Sequence, residues 1–342
     1  MRVMAQTKKV RVAVVGAGHV AQVAHIPAYR KNPDAELVAV VDDDPVKARR
    51  IREQAGFAEW YEDIADMLKQ SDVDAVDICT PNYLHAPMAI AALRAGKDVL
   101  CEKPLARSAG EAQKMADAAE KYGRILMVAM NNRFREDVTT LHRIIKGGEL
   151  GDIQIVKAGW LRPPADLQER SWLAEQGKAG GGALLDLGTP LMDLAVWMSQ
   201  LRKPTGVSCS VYGGKRRNEV EHSAAALVRF AGGASLMLEV NWNLREKRDV
   251  VYVQIYGSKG AAMLNPLTIQ KSIHGVLVNV TPDIDKRNYY QHSYQAEIDH
   301  FVDCVLRKRK PKTSGVEAIG VLRILDAMYA SAESGREVEI GP

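Results

Sequence analysis

The chain has 342 residues, 46% of them hydrophobic, a length that suggests two domains with sizeable cores. Its 46 basic and 42 acidic residues leave a charge of +4, and the basic run at 307–312 has no interleaved aromatic residue, which argues against a nucleic-acid partner. Four dispersed cysteines, no apolar run near the ~20 residues of a membrane span and no hydrophobic signal region predict a soluble cytoplasmic protein with no membrane partner, disulfide framework or metal site.

Short apolar runs alternate with helical segments through the first 130 residues. Apolar runs occur at 10–18, 37–44, 73–81, 98–104 and 124–130. Helical segments at 45–55 and 86–95 lie between them, and Gly96 closes the second. Apolar runs without alternation, joined by helices, are typical of a parallel sheet that is covered on both faces. The pattern predicts a doubly wound α/β domain over residues 1–131.

A glycine-rich turn, GAGHVA at 16–21, follows the first apolar run and opens a helix. Gly16 makes the tight turn, Gly18 lets the backbone approach a pyrophosphate, and Ala21 is small enough for helix packing. The pyrophosphate would lie on the free N–H groups of the helix start, beside His19 and Val20. The turn therefore predicts a dinucleotide site.

Asp42 ends the second apolar run, where dinucleotide-binding domains carry the acid that binds the ribose 2′-hydroxyl. Its carboxylate would repel a 2′-phosphate, so we predict NAD rather than NADP as the cofactor. The alternative is an ordinary turn residue, because Asp43 and Asp44 follow.

The pattern changes after about residue 150. Apolar runs at 223–230 and 234–240 flank Gly232-Gly233 as a hairpin would, and the run at 249–257 alternates like a half-buried strand. Strands that follow one another without helices between them indicate a mostly antiparallel sheet. Helical patterns frame it at roughly 184–200, 291–308 and 315–334. We predict a second, α+β domain over residues 132–342.

The segment TPNYLHAPMAIAALRAGKDVLCEKPLA at 80–106 resembles the signature of the Gfo/Idh/MocA family of oxidoreductases. The resemblance covers essentially the whole chain, including Arg133-Phe134 and GGGALLDLG at 180–188. It implies a Rossmann domain followed by a large, mostly antiparallel open sheet that builds homodimers or homotetramers. It also implies hydride transfer between the nicotinamide of NAD and a hydroxyl or keto carbon of a sugar, cyclitol or nucleotide sugar.

The resemblance places Lys103 in the active site, as a catalytic and substrate-binding residue that also lies at the cofactor. Lys103 ends an apolar run, and ligands of α/β sheets bind at the carboxyl ends of strands. Pro104 restricts the lysine backbone. An exposed lysine titrates near ~10.4, so its pKa must be lowered for it to act as a base near neutrality. Glu102 is expected to support Lys103.

The family also brings the loop Thr80-Pro81-Asn82 close to the nicotinamide. His85 lies at the start of the following helix, and two roles are open for it. It either contacts the cofactor directly or caps and packs that helix. We include all four residues in the predicted cofactor site.

Family members commonly carry D-x-G-x-H after the glycines of the 180–188 stretch, where the histidine relays the substrate proton. Asp186 matches the aspartate, whereas Pro190 stands at the histidine position and cannot relay a proton. We expect Lys103 to act as the acid/base with Asp186 stabilising it, and the glycines to allow close approach to a ligand.

Three other answers to the missing histidine remain open. The hydroxyl of Thr189 relays the proton, or His292, Tyr289 or Tyr290 replaces the histidine, or the enzyme performs chemistry other than simple alcohol oxidation. The predicted substrate-binding residues, besides Lys103 and Asp186, are Arg133, Trp172, Thr189 and His292.

Two other functions compete with an NAD-dependent dehydrogenase. A glycosidase that transiently oxidises its sugar would use the same nucleotide site and release no net NADH. A nucleotide-binding sensor that catalyses no reaction would be consistent with Pro190 at the histidine position. The intact Glu102-Lys103-Pro104 and Asp186 argue against it. The sequence does not identify the substrate.

Overall fold

A computed structural model describes residues 9–164, 172–214, 218–244, 247–285 and 287–341, and the chain divides into two compact units. The first unit holds residues up to 106, 110–131 and 290–317, and the second holds 107–109, 132–289 and 318 onward. One break falls at residue 131. The division predicted from the sequence, 1–131 and 132–342, is continuous along the chain, whereas residues 290–317 group with the first unit. A helical pattern in a sequence does not reveal which core its apolar face will join.

The first unit is the predicted doubly wound α/β fold. Its strands are β1 (Val10–Val15), β2 (Ala35–Val41), β3 (Glu59–Tyr61), β4 (Ala75–Ile78), β5 (Asp98–Glu102) and β6 (Leu126–Ala129). Within the described ranges these six strands are parallel and lie in the order β3-β2-β1-β4-β5-β6. The order reverses between β1 and β4, and ligands of such sheets bind at the carboxyl edge beside this point.

Helices cover the parallel sheet, and their ends follow the local sequence. A π-helical turn (Ala21–His25) runs into α1 (Ile26–Lys31), followed by α2 (Pro45–Ala55), α3 (Ile64–Gln70), α4 (Asn82–Arg94) and α5 (Ala109–Tyr122). Asp44 begins α2 by accepting the N–H groups of Val46 and Lys47, and Gly56 ends it in the left-handed conformation.

The second unit contains a larger sheet. Its strands are β7 (Ile153–Leu161), β8 (Pro204–Gly213), β9 (Glu221–Phe230), β10 (Ser235–Asn241), β11 (Val250–Gly257), β12 (Gly260–Leu264), β13 (Thr268–Ile273), β14 (Val276–Asn279) and β15 (Val338–Glu339). In the described part of the chain these nine strands follow the order β14-β13-β12-β11-β7-β10-β9-β8-β15. The β7–β10 pair is parallel and the others are antiparallel, so the predicted mostly antiparallel sheet is confirmed.

The remaining α-helices lie between residues 136 and 334. They are α6 (Glu136–Lys146), α7 (Gln176–Ala179), α8 (Ala183–Asp186), α9 (Gly188–Ser199), α10 (Tyr289–Arg307) and α11 (Gly315–Ser334). The single helix predicted at 184–200 is two helices that meet at Leu187. Of the helices that the structure describes, none is long and apolar enough to cross a membrane.

Candidate active site

The two glycines of the turn after β1 have different roles. Gly16 has φ +91°, and a Cβ there would lie 2.7 Å from the carbonyl oxygen of Cys79, so the fold itself requires glycine. A Cβ at Gly18 would meet nothing closer than that same oxygen, 4.0 Å away. The space beside Gly18 is therefore open at the start of a helix, where His19 is exposed and Val20 is half-buried. This opening fits a pyrophosphate held by backbone N–H groups.

Asp42 lies directly beside this turn, at the end of β2. Its carboxylate is buried, and its Oδ2 accepts the N–H of Ala17 at 2.9 Å. Oδ1 accepts the N–H of Asp44 at 3.0 Å and contacts the Lys47 ammonium at 2.8 Å. The acid predicted to bind the ribose therefore also fixes the position of the glycine turn.

The loop after β4 carries Thr80, Pro81 and Asn82 on the same carboxyl edge. The Thr80 hydroxyl is buried, and it has no hydrogen-bond partner among the residues that the structure describes. Asn82 is buried in the first turn of α4. A buried hydroxyl without a partner is a reason to expect a polar ligand group at this loop.

His85 links two loops on this edge of the sheet. Its ring is fully buried, with Nδ1 2.8 Å from the carbonyl oxygen of Pro104 and Nε2 2.8 Å from that of Thr80. Burial lowers the pKa of His85 and outweighs these carbonyl contacts, which raise it. Both ring nitrogens face the backbone, as the packing role considered for this residue requires. The direct cofactor contact stays a prediction.

Lys103 follows β5 on the carboxyl edge and is half-buried. Its backbone N–H donates to Glu102 Oε2 at 2.9 Å, and the Lys103–Pro104 peptide bond is cis. The predicted support of Lys103 by Glu102 is thus a contact with the lysine backbone. The glycine turn, Asp42, the Thr80 loop and Lys103 all lie on one edge of one sheet.

A buried polar cluster that was not predicted from the sequence lies next to Glu102. His25, from the π-helical turn, places Nε2 3.0 Å from Glu102 Oε1 and Nδ1 2.7 Å from Asp77 Oδ2. Burial raises the pKa of the neighbouring Cys79 thiol to about 12, and the charge of Asp77 adds to this effect. A lone histidine on the first helix resembles any core histidine, so only the fold shows that it joins β4 to β5.

The residues predicted around Pro190 belong to the second unit. Asp186 ends α8 and is partly exposed, while Pro190 is buried in the first turn of α9, where proline is tolerated. The Thr189 hydroxyl is buried and donates to the carbonyl oxygen of Leu185 at 2.5 Å. Its proton is committed to the backbone, so the proposed relay through Thr189 is not supported.

The three glycines before α8 are explained by protein neighbours instead of a ligand. A Cβ at Gly180 would lie 2.5 Å from the Arg107 Cβ, and one at Gly181 or Gly182 would overlap Tyr329 or the backbone of Glu221. The buried Glu221 carboxylate accepts the N–H groups of Gly182 and Leu184 and the Tyr329 hydroxyl, each at 2.9 Å. The close approach of these protein groups is therefore sufficient to account for the three glycines.

Arg133 is also held by protein groups. Its buried guanidinium donates to Asp193 Oδ2 at 2.7 Å through Nε and lies 5.2 Å from the centre of the Trp197 ring. Arg133 thus forms a buried ion pair with Asp193 in the second unit, and its substrate contact stays a prediction. Trp172 is half-buried. It directly follows residues 165–171, which lie outside the described residues.

The substitutes suggested for the missing histidine lie elsewhere. His292 is exposed near the start of α10 and lines a groove with Asn32 and Pro33, at the amino end of β2 rather than at the carboxyl edge. Tyr290 is 60% exposed, and its hydroxyl contacts that of Tyr294 at 3.2 Å. The Tyr289 ring faces the Arg135 guanidinium at 5.6 Å. The structure brings His292 to a different part of the first unit from Lys103.

Comparison with known proteins gives matches along most of the chain. Residues 10–130 match the GFO/IDH/MocA oxidoreductase family, described by its NAD-binding Rossmann fold, and residues 138–263 match a GFO/IDH/MocA C-terminal domain. A D-glucoside 3-dehydrogenase of Escherichia coli (strain K12) is 31% identical over 96% of this chain and 97% of its own length. A levoglucosan dehydrogenase of Pseudarthrobacter phenanthrenivorans is 29% identical over 75% of this chain and 74% of its own. The crystal structure of GenD2 from gentamicin A biosynthesis in complex with NAD has a TM-score of 0.85 and 26% identity, covering 100% of this chain and 99% of that one.

Proposed function

The chain belongs to the GFO/IDH/MocA oxidoreductase family, and we propose that it oxidises a hydroxyl group of a sugar, cyclitol or nucleotide sugar with NAD. One observation carries the proposal: Lys103 directly follows β5 on the edge that also holds the open glycine turn and Asp42. Relatives named as dehydrogenases of a glucoside and of levoglucosan support a sugar-like substrate.

The proposed cofactor site consists of residues that lie together on this edge. The backbone beside Gly18 would hold the pyrophosphate, Asp42 the adenosine ribose, and the Thr80 hydroxyl a polar group near the nicotinamide. When bound, NAD accepts a hydride from the substrate carbon. The protein's task is then to orient the substrate and to take up its hydroxyl proton.

In the proposed reaction Lys103 is the group that takes this proton. The substrate O–H bond would break, its proton would pass to Nζ of Lys103, and the electron pair of that bond would form the new C=O bond. The hydrogen of the substrate carbon would leave with the C–H electron pair, as a hydride, to the nicotinamide. Asp186 is proposed to orient the lysine and the substrate hydroxyl. No second proton carrier is invoked, since Pro190 has no titratable group and the Thr189 hydroxyl donates to the backbone.

The cofactor preference has a direct test. We expect tighter binding of NAD(H) than of NADP(H). Asp42→Ala should narrow the difference between their binding free energies by roughly 1–3 kcal/mol, because a buried hydrogen-bond partner is removed. Calorimetric titration of both cofactors measures this gap. Asp43→Ala, at an exposed neighbouring acid, is the matched control and should leave the gap unchanged. Tighter binding of NADP(H) by the native protein would refute the assignment.

The substrate class is tested by a panel of sugars, inositols and nucleotide sugars incubated with NAD. NADH formation is followed by its absorbance, and glycoside cleavage is assayed on the same samples. We expect NADH to accumulate with at least one member of the panel. Cleavage without NADH accumulation would instead identify a glycosidase.

The assembly that we propose is a homodimer or homotetramer formed through the second unit's sheet. Ile155, Met237 and Tyr256 lie on one face of β7, β10 and β11, where they are 41%, 48% and 39% exposed. Exposed apolar side chains grouped on a sheet face are typical of a protein interface. A second copy of the chain is the partner that would cover them.

The oligomer is tested with one charge on that face. Light scattering of the native chain should give a mass well above the 37.6 kDa of a monomer, and Met237→Asp should shift it toward the monomer. Val46→Asp, at a 76% exposed position of α2, is the control and should leave the mass unchanged. A monomeric native chain at micromolar concentration would contradict the proposal.

A further inference from the structure

An unbroken series of hydrogen bonds leads from the interior of the first unit to the backbone of Lys103. His25 lies between Asp77 of β4 and Glu102 of β5, with Nδ1 2.7 Å from Asp77 Oδ2 and Nε2 3.0 Å from Glu102 Oε1. The second oxygen of Glu102 accepts the Lys103 N–H at 2.9 Å. His25, Asp77 and Glu102 are buried. One carboxylate oxygen of Glu102 is therefore held by His25, and the other accepts the backbone N–H of Lys103.

The geometry also fixes the protonation of His25. Each ring nitrogen faces a carboxylate oxygen, and an ionised carboxylate only accepts, so both nitrogens donate only when the ring is an imidazolium. Burial lowers the pKa of His25, but the opposing effects, led by the charge of Asp77 and joined by its hydrogen bond, raise the pKa well above its usual value. Burial raises the pKa of Glu102, but the hydrogen bond and charge of His25 outweigh burial, and the pKa lies below its usual value.

The other groups packed around His25 do not take its place. The Tyr294 ring lies 5.6 Å from the imidazole, and the buried Glu297 carboxyl has no hydrogen-bond partner among the described residues. Burial raises the pKa of Glu297 well above its usual value, which favours its neutral form, although the charge of His25 opposes this effect. Tyr29 is also fully buried, and burial raises its pKa. The imidazolium is thus matched to the two carboxylates that it contacts.

We propose that His25 is the positioning residue of Lys103, because it holds Glu102 in the orientation that accepts the lysine N–H. His85 completes the arrangement from the other side, since its Nδ1 contacts the carbonyl oxygen of Pro104 at 2.8 Å. The lysine backbone is therefore fixed between two buried histidines. The consequence for turnover rests on the proposed role of Lys103, whereas the effect on the lysine backbone does not.

A bound metal ion is the competing explanation for the cluster. Donor atoms of His25, Asp77 and Cys79 lie within 4.8 Å of one another. However, Nδ1 of His25 and Oδ2 of Asp77 are 2.7 Å apart, the separation of a hydrogen bond. Two ligands at about 2.0–2.1 Å from a tetrahedral zinc would lie more than about 3 Å apart. The distances favour an ion pair.

Two substitutions at His25 separate its two contacts. His25→Gln places a side-chain N–H₂ where Nε2 stands, so it can keep the donor to Glu102 and lose the one to Asp77. His25→Asn places its N–H₂ where Nδ1 stands, so it keeps Asp77 and loses Glu102. Glu102→Gln removes the charged acceptor itself and serves as a second route if His25→Asn fails to fold.

The first measurement is hydrogen–deuterium exchange of the peptide that contains Lys103. We expect faster exchange of the Lys103 amide in His25→Asn and Glu102→Gln, and near-native exchange in His25→Gln. The second measurement is kcat, calculated from the concentration of sites that bind NADH in each preparation. We expect His25→Asn to lower kcat about 10- to 100-fold with little change in NADH affinity. His25→Gln should retain most of the native kcat. The double variant His25→Asn with Glu102→Gln should be no worse than the poorer single variant.

Native exchange at Lys103 in both His25→Asn and Glu102→Gln would overturn the proposal. Faster exchange with unchanged kcat would also overturn it, because the position would then not matter for the reaction. Stoichiometric zinc or another metal in the purified protein, lost in His25→Asn, would replace it with a metal site. Failure of the proposed function is recognised separately, by native turnover in a Lys103 variant whose His25 is intact.

Discussion

Lys103→Ala is expected to lower turnover by ~10²–10⁴, the usual contribution of a positioned proton-transfer group. NADH affinity should change little, because the lysine is proposed to act on the substrate hydroxyl. Turnover at saturating substrate and the NADH dissociation constant are measured on the same preparation. The lysine backbone is held by Glu102, so the substitution removes the side-chain amine without removing that contact.

Lys114→Ala is the matched control for this variant. Lys114 is exposed on α5, and its loss should leave both quantities at the native level. Near-native turnover in Lys103→Ala on the true substrate would refute the proposed role of the lysine. The proton carrier would then have to come from a residue outside this edge of the sheet.

Gly182→Ala is expected to destabilise the protein by about 3 kcal/mol or more, at or beyond the upper end of ordinary overpacking. The new Cβ would overlap the carbonyl oxygen of Glu221 and push α8 away from the carboxylate that accepts its N–H groups. Calorimetric unfolding with and without NADH measures the loss.

Gly177→Ala is the control, since a Cβ there meets nothing within 4 Å. It lies in α7 and should be neutral or stabilising by up to about 1 kcal/mol. If Gly182→Ala instead reduced turnover while its unfolding temperature stayed native, the close approach of a ligand at this stretch would be restored as the explanation.

Much of the first unit could be predicted because its signals are local. Apolar runs that end in glycine or acidic residues mark β1 and β2, and a parallel sheet brings their ends to one edge whatever the details of packing. Asp44 and Gly56 mark both ends of α2, and the predicted helix at 45–55 matches it. In contrast, β7 has its hydrophobic pattern interrupted by Lys157 and Gly159, so its central place in the larger sheet was not predicted.

The site was predictable where one residue's chemistry needs one backbone position. Gly16 and Asp42 belong to this group, because a tight turn and a strand end fix them in the sequence. His25 does not, because its importance arises from Asp77 and Glu102, which lie 52 and 77 residues away along the chain. Partners at such separations leave no periodic pattern in a single sequence.

The glycines at 180–182 show why a local pattern can leave two explanations. A run of glycines before a helix is equally compatible with a nearby ligand and with nearby protein, and the structure places Glu221 and Tyr329 against them. The same holds for Arg133, since a guanidinium suits a substrate oxygen and a carboxylate such as Asp193 equally well.

The most direct test of the central claim follows the hydrogen itself. The native enzyme is incubated with NAD and a substrate from the panel that carries deuterium at the carbon to be oxidised, and the NADH is analysed by mass spectrometry. We expect each NADH formed to carry one deuterium, and Lys103→Ala to give the same label at a much lower rate. NADH that forms without deuterium, or substrate that is consumed with no labelled NADH, would contradict hydride transfer from the sugar carbon to the nicotinamide.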